Sequence, residues 1–200
     1  MTAMFTAVPL GDGDEELKMR EAARFLQCSG TPITKAMAAG LIPDLKLSTV
    51  AQVATIHVLT SAATPDGQPI PVLRVGPAAK DLEDGTRGYY GYHVDFDERE
   101  MLAGCDRWWT PQGSGLILAA GAMIVACGTF CVGLAAVAKE VREADEESGR
   151  LWYDGTLVGH LYGPGREVRI TDEESPLAEL AQKILGLRVL GGQGGAVTSL

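Results

Sequence analysis

The chain has 200 residues, 46% of them hydrophobic, which fits one large domain or a small domain joined to a medium one and excludes a disordered polar chain. Its formal net charge of −9 is the wrong sign for coating nucleic acid through bulk electrostatics. Four cysteines (Cys28, Cys105, Cys127, Cys131) and three histidines show no C-x-x-C pair and no zinc-ligand spacing. No metal and no cofactor is therefore expected, and the thiols read as reduced small hydrophobes.

Residues 1–14 read as a frayed tail with a GDGD hinge. No basic region precedes a long apolar run there, which predicts a cytoplasmic chain without a secretory leader. Asp14 falls where the N-cap of a first helix would, with Glu15 and Glu16 in its first turn. The stretch 19–53 predicts two short helices broken at Gln27-Cys28-Ser29-Gly30, a stop at Gly40 and Pro43, and a third helix. Ala22, Ala23, Leu26, Ile33, Met37, Leu41 and Ile42 recur at helical spacing on both sides of the break. Residues 61–71, rich in Pro, Gly and small side chains, form the expected linker. Short strands are expected at 72–75 and 89–94. Asp97 and Glu100 have capping-box spacing for a helix running to Trp109, with Met101, Leu102, Cys105, Trp108 and Trp109 on one face and Pro111 and Gly113 as its stop.

The uncharged run 115–138 is long enough to span a bilayer, but it carries four glycines and charge-balanced flanks, and it splits at Ala126-Cys127-Gly128-Thr129. We read it as a buried hairpin with strands 116–125 and 130–137, and expect no membrane association. Residues 139–150 alternate in sign and read as a surface loop or extended arm. A strand at 151–153, a tight turn at Asp154-Gly155, a continuing strand to 162 and an edge strand over 166–171 follow. Ser175-Pro176 opens a last helix over 177–185 before a glycine-rich tail.

The first candidate site lies in the helical stretch. Cys28-Ser29 stands at the turn, Thr31-Pro32-Ile33-Thr34-Lys35 opens the second helix, Gly40-Leu41-Ile42-Pro43 ends it, and Asp44-Leu45-Lys46 makes a short wing. This order resembles the helix-turn-helix of excisionase and MerR-type proteins. The resemblance implies double-stranded DNA as partner, with the second helix in the major groove and Ser29, Thr31, Thr34, Lys35 and Lys46 meeting phosphates or base edges. Gly30 and Ala38 stand where such proteins carry arginines. Between residues 15 and 60 five basic residues face four acidic ones, a net +1 that permits DNA contact against the acidic background. So few cations per copy bind weakly, and a homo-oligomer is expected to compensate. A protein-docking or assembly role for the same helices is the alternative.

The second candidate site is aromatic: Tyr90, Tyr92, Trp108, Trp109 and Trp152 could form a base or ligand pocket, or be ordinary core. The order of strand, Trp-bearing helix, hairpin and aromatic strand, closed by Ile184-Leu185-Gly186-Leu187-Arg188-Val189, is similar to PUA-like barrels of the EVE and ASCH type. That resemblance implies a modified-base reader. His93-x-Asp95-x-Asp97 lacks metal ligands from a second element and reads as a strand end leading into a cap. The glycines at 191, 192, 194 and 195 neither follow a buried strand nor precede Lys-Ser/Thr, so they read as tail rather than phosphate cradle. His57 and His160 have no partnered nucleophile or carboxylate at recognisable spacing, so no catalytic residue is expected.

The expected fold is α+β: a three-helix helix-turn-helix unit over 15–60, then a β-barrel-like domain with flanking helices over 72–200. The expected function is that of a non-enzymatic, DNA-associated regulatory protein or a phage or mobile-element accessory protein.

Overall fold

A computed structural model describes residues 14–82, 88–105, 107–109, 111–144, 146, 151–163, 165–190, 197–198 and 200. The expected tail over 1–13 and the glycine run over 191–196 lie outside the described residues. Three short helices come first: α1 (Met19–Phe25), α2 (Gly30–Ala38) and α3 (Leu47–Ala54). Then follow β1 (Val72–Val75), β2 (Ala79–Lys80), β3 (Tyr89–Tyr90), α4 (Glu98–Ala103), β4 (Arg107–Trp109) and α5 (Pro111–Ala120). The chain continues through β5 (Ala122–Cys127), β6 (Phe130–Ala144), β7 (Leu151–Tyr162), β8 (Glu167–Ile170), α6 (Ala178–Ile184) and β9 (Val197–Thr198).

The fold is mixed α+β. Its main sheet runs β4-β7-β6-β5-β1-β9, with β8 also on β7. β4 pairs with the first residues of β7 and β8 with its last, so the two share one edge. Only β1 and β5 run parallel. Every residue of β5 is buried, as expected of a strand covered on both faces. Among the described residues the sheet does not close into a barrel. One edge ends in the two-residue β9 and the other is split between β4 and β8, so neither offers a long strand on which the other could close.

Several elements differ from the sequence reading for identifiable reasons. The apolar run is helical through Ala120; Gly121, at φ 63°, ends α5 and donates its N–H to Ile117 O at 2.8 Å before β5 begins. The hairpin turn falls at Gly128-Thr129 as expected. No helix of the described residues is long and apolar enough to cross a membrane. α4 stops at Ala103, not at Trp109: Gly104 O accepts the Gly91 N–H at 3.1 Å, in a backbone approach too close for a Cβ on Gly104, and residues 107–109 pair with β7. Asp154-Gly155 is not a turn: it lies inside β7, where the bare Gly155 lets Leu102 Cδ1 approach to 3.3 Å from a would-be Cβ. Of the two alternatives for residues 139–150, an extended arm holds over 139–144, which prolong β6. Asp14 does not cap α1. Its carboxylate accepts the Ser48 backbone N–H at 3.0 Å and the Ser48 hydroxyl, capping the first turn of α3.

The helices and the sheet share one hydrophobic cluster, which runs from Ala22, Leu26 and Ile33 through Ile124 and Leu134 to Leu161 and Ile184. Residues 186–189 lie between the start of β6 and residues 57–59. Cys131 N donates to Leu187 O at 2.9 Å and Val189 N to Thr129 O at 2.7 Å. On the other side Arg188 N donates to His57 O at 2.9 Å and Leu59 N to Arg188 O at 2.7 Å. The buried Arg188 side chain donates from Nη2 to Leu26 O at the end of α1. Residues 61–71 fold back on themselves, with Ile70 N donating to Ala62 O at 2.9 Å and Ile70 buried.

Candidate nucleic-acid interface

The turn between α1 and α2 is set by Gln27, at φ 52°, and by Cys28 N donating back to Ala23 O at 3.1 Å. Ser29 then takes the extended N-cap conformation of α2, but its hydroxyl makes no capping bond. Within α2, Ile33 and Ala36 are buried while Thr31, Thr34, Lys35 and Ala38 are exposed. At 100° per residue those four fall on one stripe opposite the buried pair. Thr34 Oγ1 donates to Gly30 O at 3.2 Å, which leaves its oxygen lone pairs outward. Lys35 has no ion pair among the described residues.

The buried side of α2 rests on the β5–β6 turn. Gly128, at φ 60°, has no side chain to fend it off, and a Cβ there would lie 2.6 Å from Pro32 O and 2.8 Å from Ala36 Cβ. This seat fixes how far the exposed stripe projects. It also opens a cleft of about 570 Å³ beside the helix, with Ser29, Thr31 and Lys35 on one wall and Arg74, Val75 and Ala126 on the other. Arg74 is half-buried; its Nη2 donates to Leu190 O at 2.8 Å, while its Nε is buried with no partner among the described residues. The sequence offers no signal for Arg74 beyond a cation two residues before Gly76-Pro77 in a short strand.

Lys46 belongs to a different local structure. It is the N-cap residue of α3 and pairs with Asp44 at 3.9 Å. Asp44 is held below the ordinary carboxylate range chiefly by the Thr49 hydroxyl, with smaller help from Lys46. Asp14 is lowered in the same way, chiefly by Ser48. The charge of Lys46 is thus offset locally, whereas that of Lys35 is not.

Tyr90, Tyr92 and Trp152 lie in three separate places. Tyr92 is fully buried and its hydroxyl donates to Leu161 O at 3.0 Å, which makes it core rather than a stacking platform. Tyr90 is exposed on the small β2–β3 sheet. Trp152 is half-buried at the start of β7, next to Arg107 of β4. Nine residues of extended chain, about 30 Å, separate it from Leu161. Trp108 and Trp109 lie on β4, and their side chains are outside the described set.

A second hollow, of about 310 Å³, is lined by Asp97, Glu98, Arg99, His160 and Arg169. Strand register builds it: His160 sits between Gly133 and Arg169 on neighbouring strands, beneath the start of α4. Burial pushes the His160 imidazole below its ordinary value, opposed in part by Glu98. Arg169 lies over the Tyr162 ring at 3.5 Å. Asp97 is engaged in the α4 capping box, and His93 Nδ1 accepts the Asp95 N–H at 3.3 Å. Among the described residues no group of three His, Cys, Asp or Glu gathers to hold a metal.

No protein-family model, no curated protein and no solved structure matches the chain.

Proposed function

We propose that this protein is a non-enzymatic, cytoplasmic, DNA-associated factor that meets duplex DNA through the exposed stripe of α2. The observation that carries the reading is the sorting of that one short helix: Ile33 and Ala36 anchor it, while Thr31, Thr34 and Lys35, which has no ion pair among the described residues, face outward. Short hydroxyls and a lysine can meet phosphate oxygens or base edges, and such contacts act by occupancy, with no bond made or broken. A regulatory or mobile-element accessory role is consistent with that. A single lysine on the stripe of each copy, on a chain of net charge −9, supplies little counterion release, so paired copies would be needed for useful affinity.

The test is an anisotropy titration with a randomised duplex pool between about 50 and 200 mM salt. The reading expects salt-dependent binding, and Lys35→Ala lowering the slope of log K against log[salt] by about 0.9 per protomer. Lys46→Ala should change the slope little, because Asp44 already neutralises it. Absence of salt-dependent binding to any duplex would remove the proposal. The second reading, docking on a protein partner, is favoured by Phe25, which ends α1 beside the turn and is 52% exposed. It predicts an assembly that persists without DNA and is lost in Phe25→Ala.

A further inference from the structure

We propose that the cleft beside α2 is a binding site for a small phosphorylated molecule with a planar or apolar body, and that its occupancy competes with duplex binding. The competition rests on the DNA reading above; the binding does not. The cleft, at about 570 Å³, is of the size that holds a small ligand. Its charged lining residues are Lys35 and Arg74, with no carboxylate among the described lining. In a chain with 26 acidic and 17 basic residues, two cations lining one cleft with no carboxylate among its described lining point to an anion from outside.

Both cations have unmet bonding capacity. Among the described residues Lys35 has no ion pair, and Arg74 donates from Nη2 to Leu190 O while its buried Nε finds no partner. Ser29 and Thr31 add hydroxyls beside Lys35, and a phosphoryl group accepts from guanidinium, ammonium and hydroxyl alike. Val75, Ala126 and Pro32 supply an apolar surface against which a flat ring could lie. Because Thr31 and Lys35 serve both the cleft and the outward stripe, a bound anion draws the same lysine away from a DNA phosphate.

Cys28 provides the readout. It lines the cleft and is half-buried, whereas Cys105, Cys127 and Cys131 are buried, so alkylation of the native protein should give one adduct by intact mass. The probes are adenosine monophosphate, adenosine, inorganic phosphate and a short duplex. At adenosine monophosphate ten times above its Kd, alkylation of Cys28 should slow about tenfold by mass action. Adenosine should not protect, and inorganic phosphate should protect only at higher concentration. Arg74→Met should abolish the protection and Arg74→Lys should keep part of it, which separates lost charge from lost folding. In the duplex titration adenosine monophosphate should weaken the native protein and not Arg74→Met. Equal protection by adenosine, or none by either phosphate, overturns the site. Protection by the duplex but not by adenosine monophosphate would assign the cleft to a backbone phosphate and also overturn the small-molecule proposal. Protection without duplex binding leaves the anion site standing and removes only the competition.

Discussion

Gly128 tests whether the helices and the sheet act as one body. Replacing it with alanine puts a Cβ at φ 60° and drives it to 2.6 Å from Pro32 O and 2.8 Å from Ala36 Cβ. The left-handed backbone costs an L-residue about 1 kcal/mol. Pushing a methyl into a packed seat costs about 2 kcal/mol more. Gly67 is the control: at φ 85° with nothing within 4 Å of its would-be Cβ, Gly67→Ala carries the backbone cost alone. In a chain of this size about 1 kcal/mol moves Tm by roughly 3 °C, so the expected losses are about 9 °C for Gly128→Ala and about 3 °C for Gly67→Ala. Circular-dichroism melts followed at two wavelengths should each show a single transition. Equal shifts for the two variants would refute the steric seat. A separate early transition in Gly128→Ala would refute the shared core.

Two further outcomes follow from buried groups. The folded state holds His160 below its ordinary pKa through burial, so the unfolded chain binds the extra proton first as pH falls. Stability conferred by neutral His160 is complete above about pH 6.5 and declines as pH drops from there through the lower folded value; Tm measured between neutral and mildly acidic pH should show that decline, and His160→Gln should flatten it. Arg188→Met leaves Leu26 O buried without its donor, at a cost of about 1–3 kcal/mol. The urea midpoint should fall with an unchanged m-value, and an unchanged midpoint would show that the bond contributes nothing.

What could be read from the letters is local. Val72–Val75 is bounded by Pro71 and by Gly76-Pro77, and its limits match the sequence reading. The capping box at Asp97 and Glu100 has both reciprocal bonds, at 2.8 and 3.1 Å, because it needs only residues three apart. The helix-break-helix order over 19–38 likewise depends on near neighbours, and so does the outward stripe of α2. What could not be read depends on partners far along the chain. Residues 116–120 carry no polar face to mark a helical period, so only Gly121 signals where α5 yields to strand. Asp154-Gly155 has the composition of a turn, yet pairing of Gly155 with Val137 of β6 keeps it extended. Arg74 became part of a candidate site only because β1 brings it opposite α2, which no spacing in the sequence records.

The bond from Arg188 to Leu26 spans 162 positions, and it makes the order of synthesis matter. The helical trio is made before the sheet, and the strand-like stretch that braces it arrives only when residue 188 does. Until then Leu26 O at the end of α1 lacks its donor, even after the β5–β6 turn has come to lie against α2, and a nascent chain must keep that end of the helical surface from sticking elsewhere. Contacts of such long range slow the search for the native state. A partner-reading face on α2 is therefore fully braced only once residue 188 has been made, not when its own residues emerge.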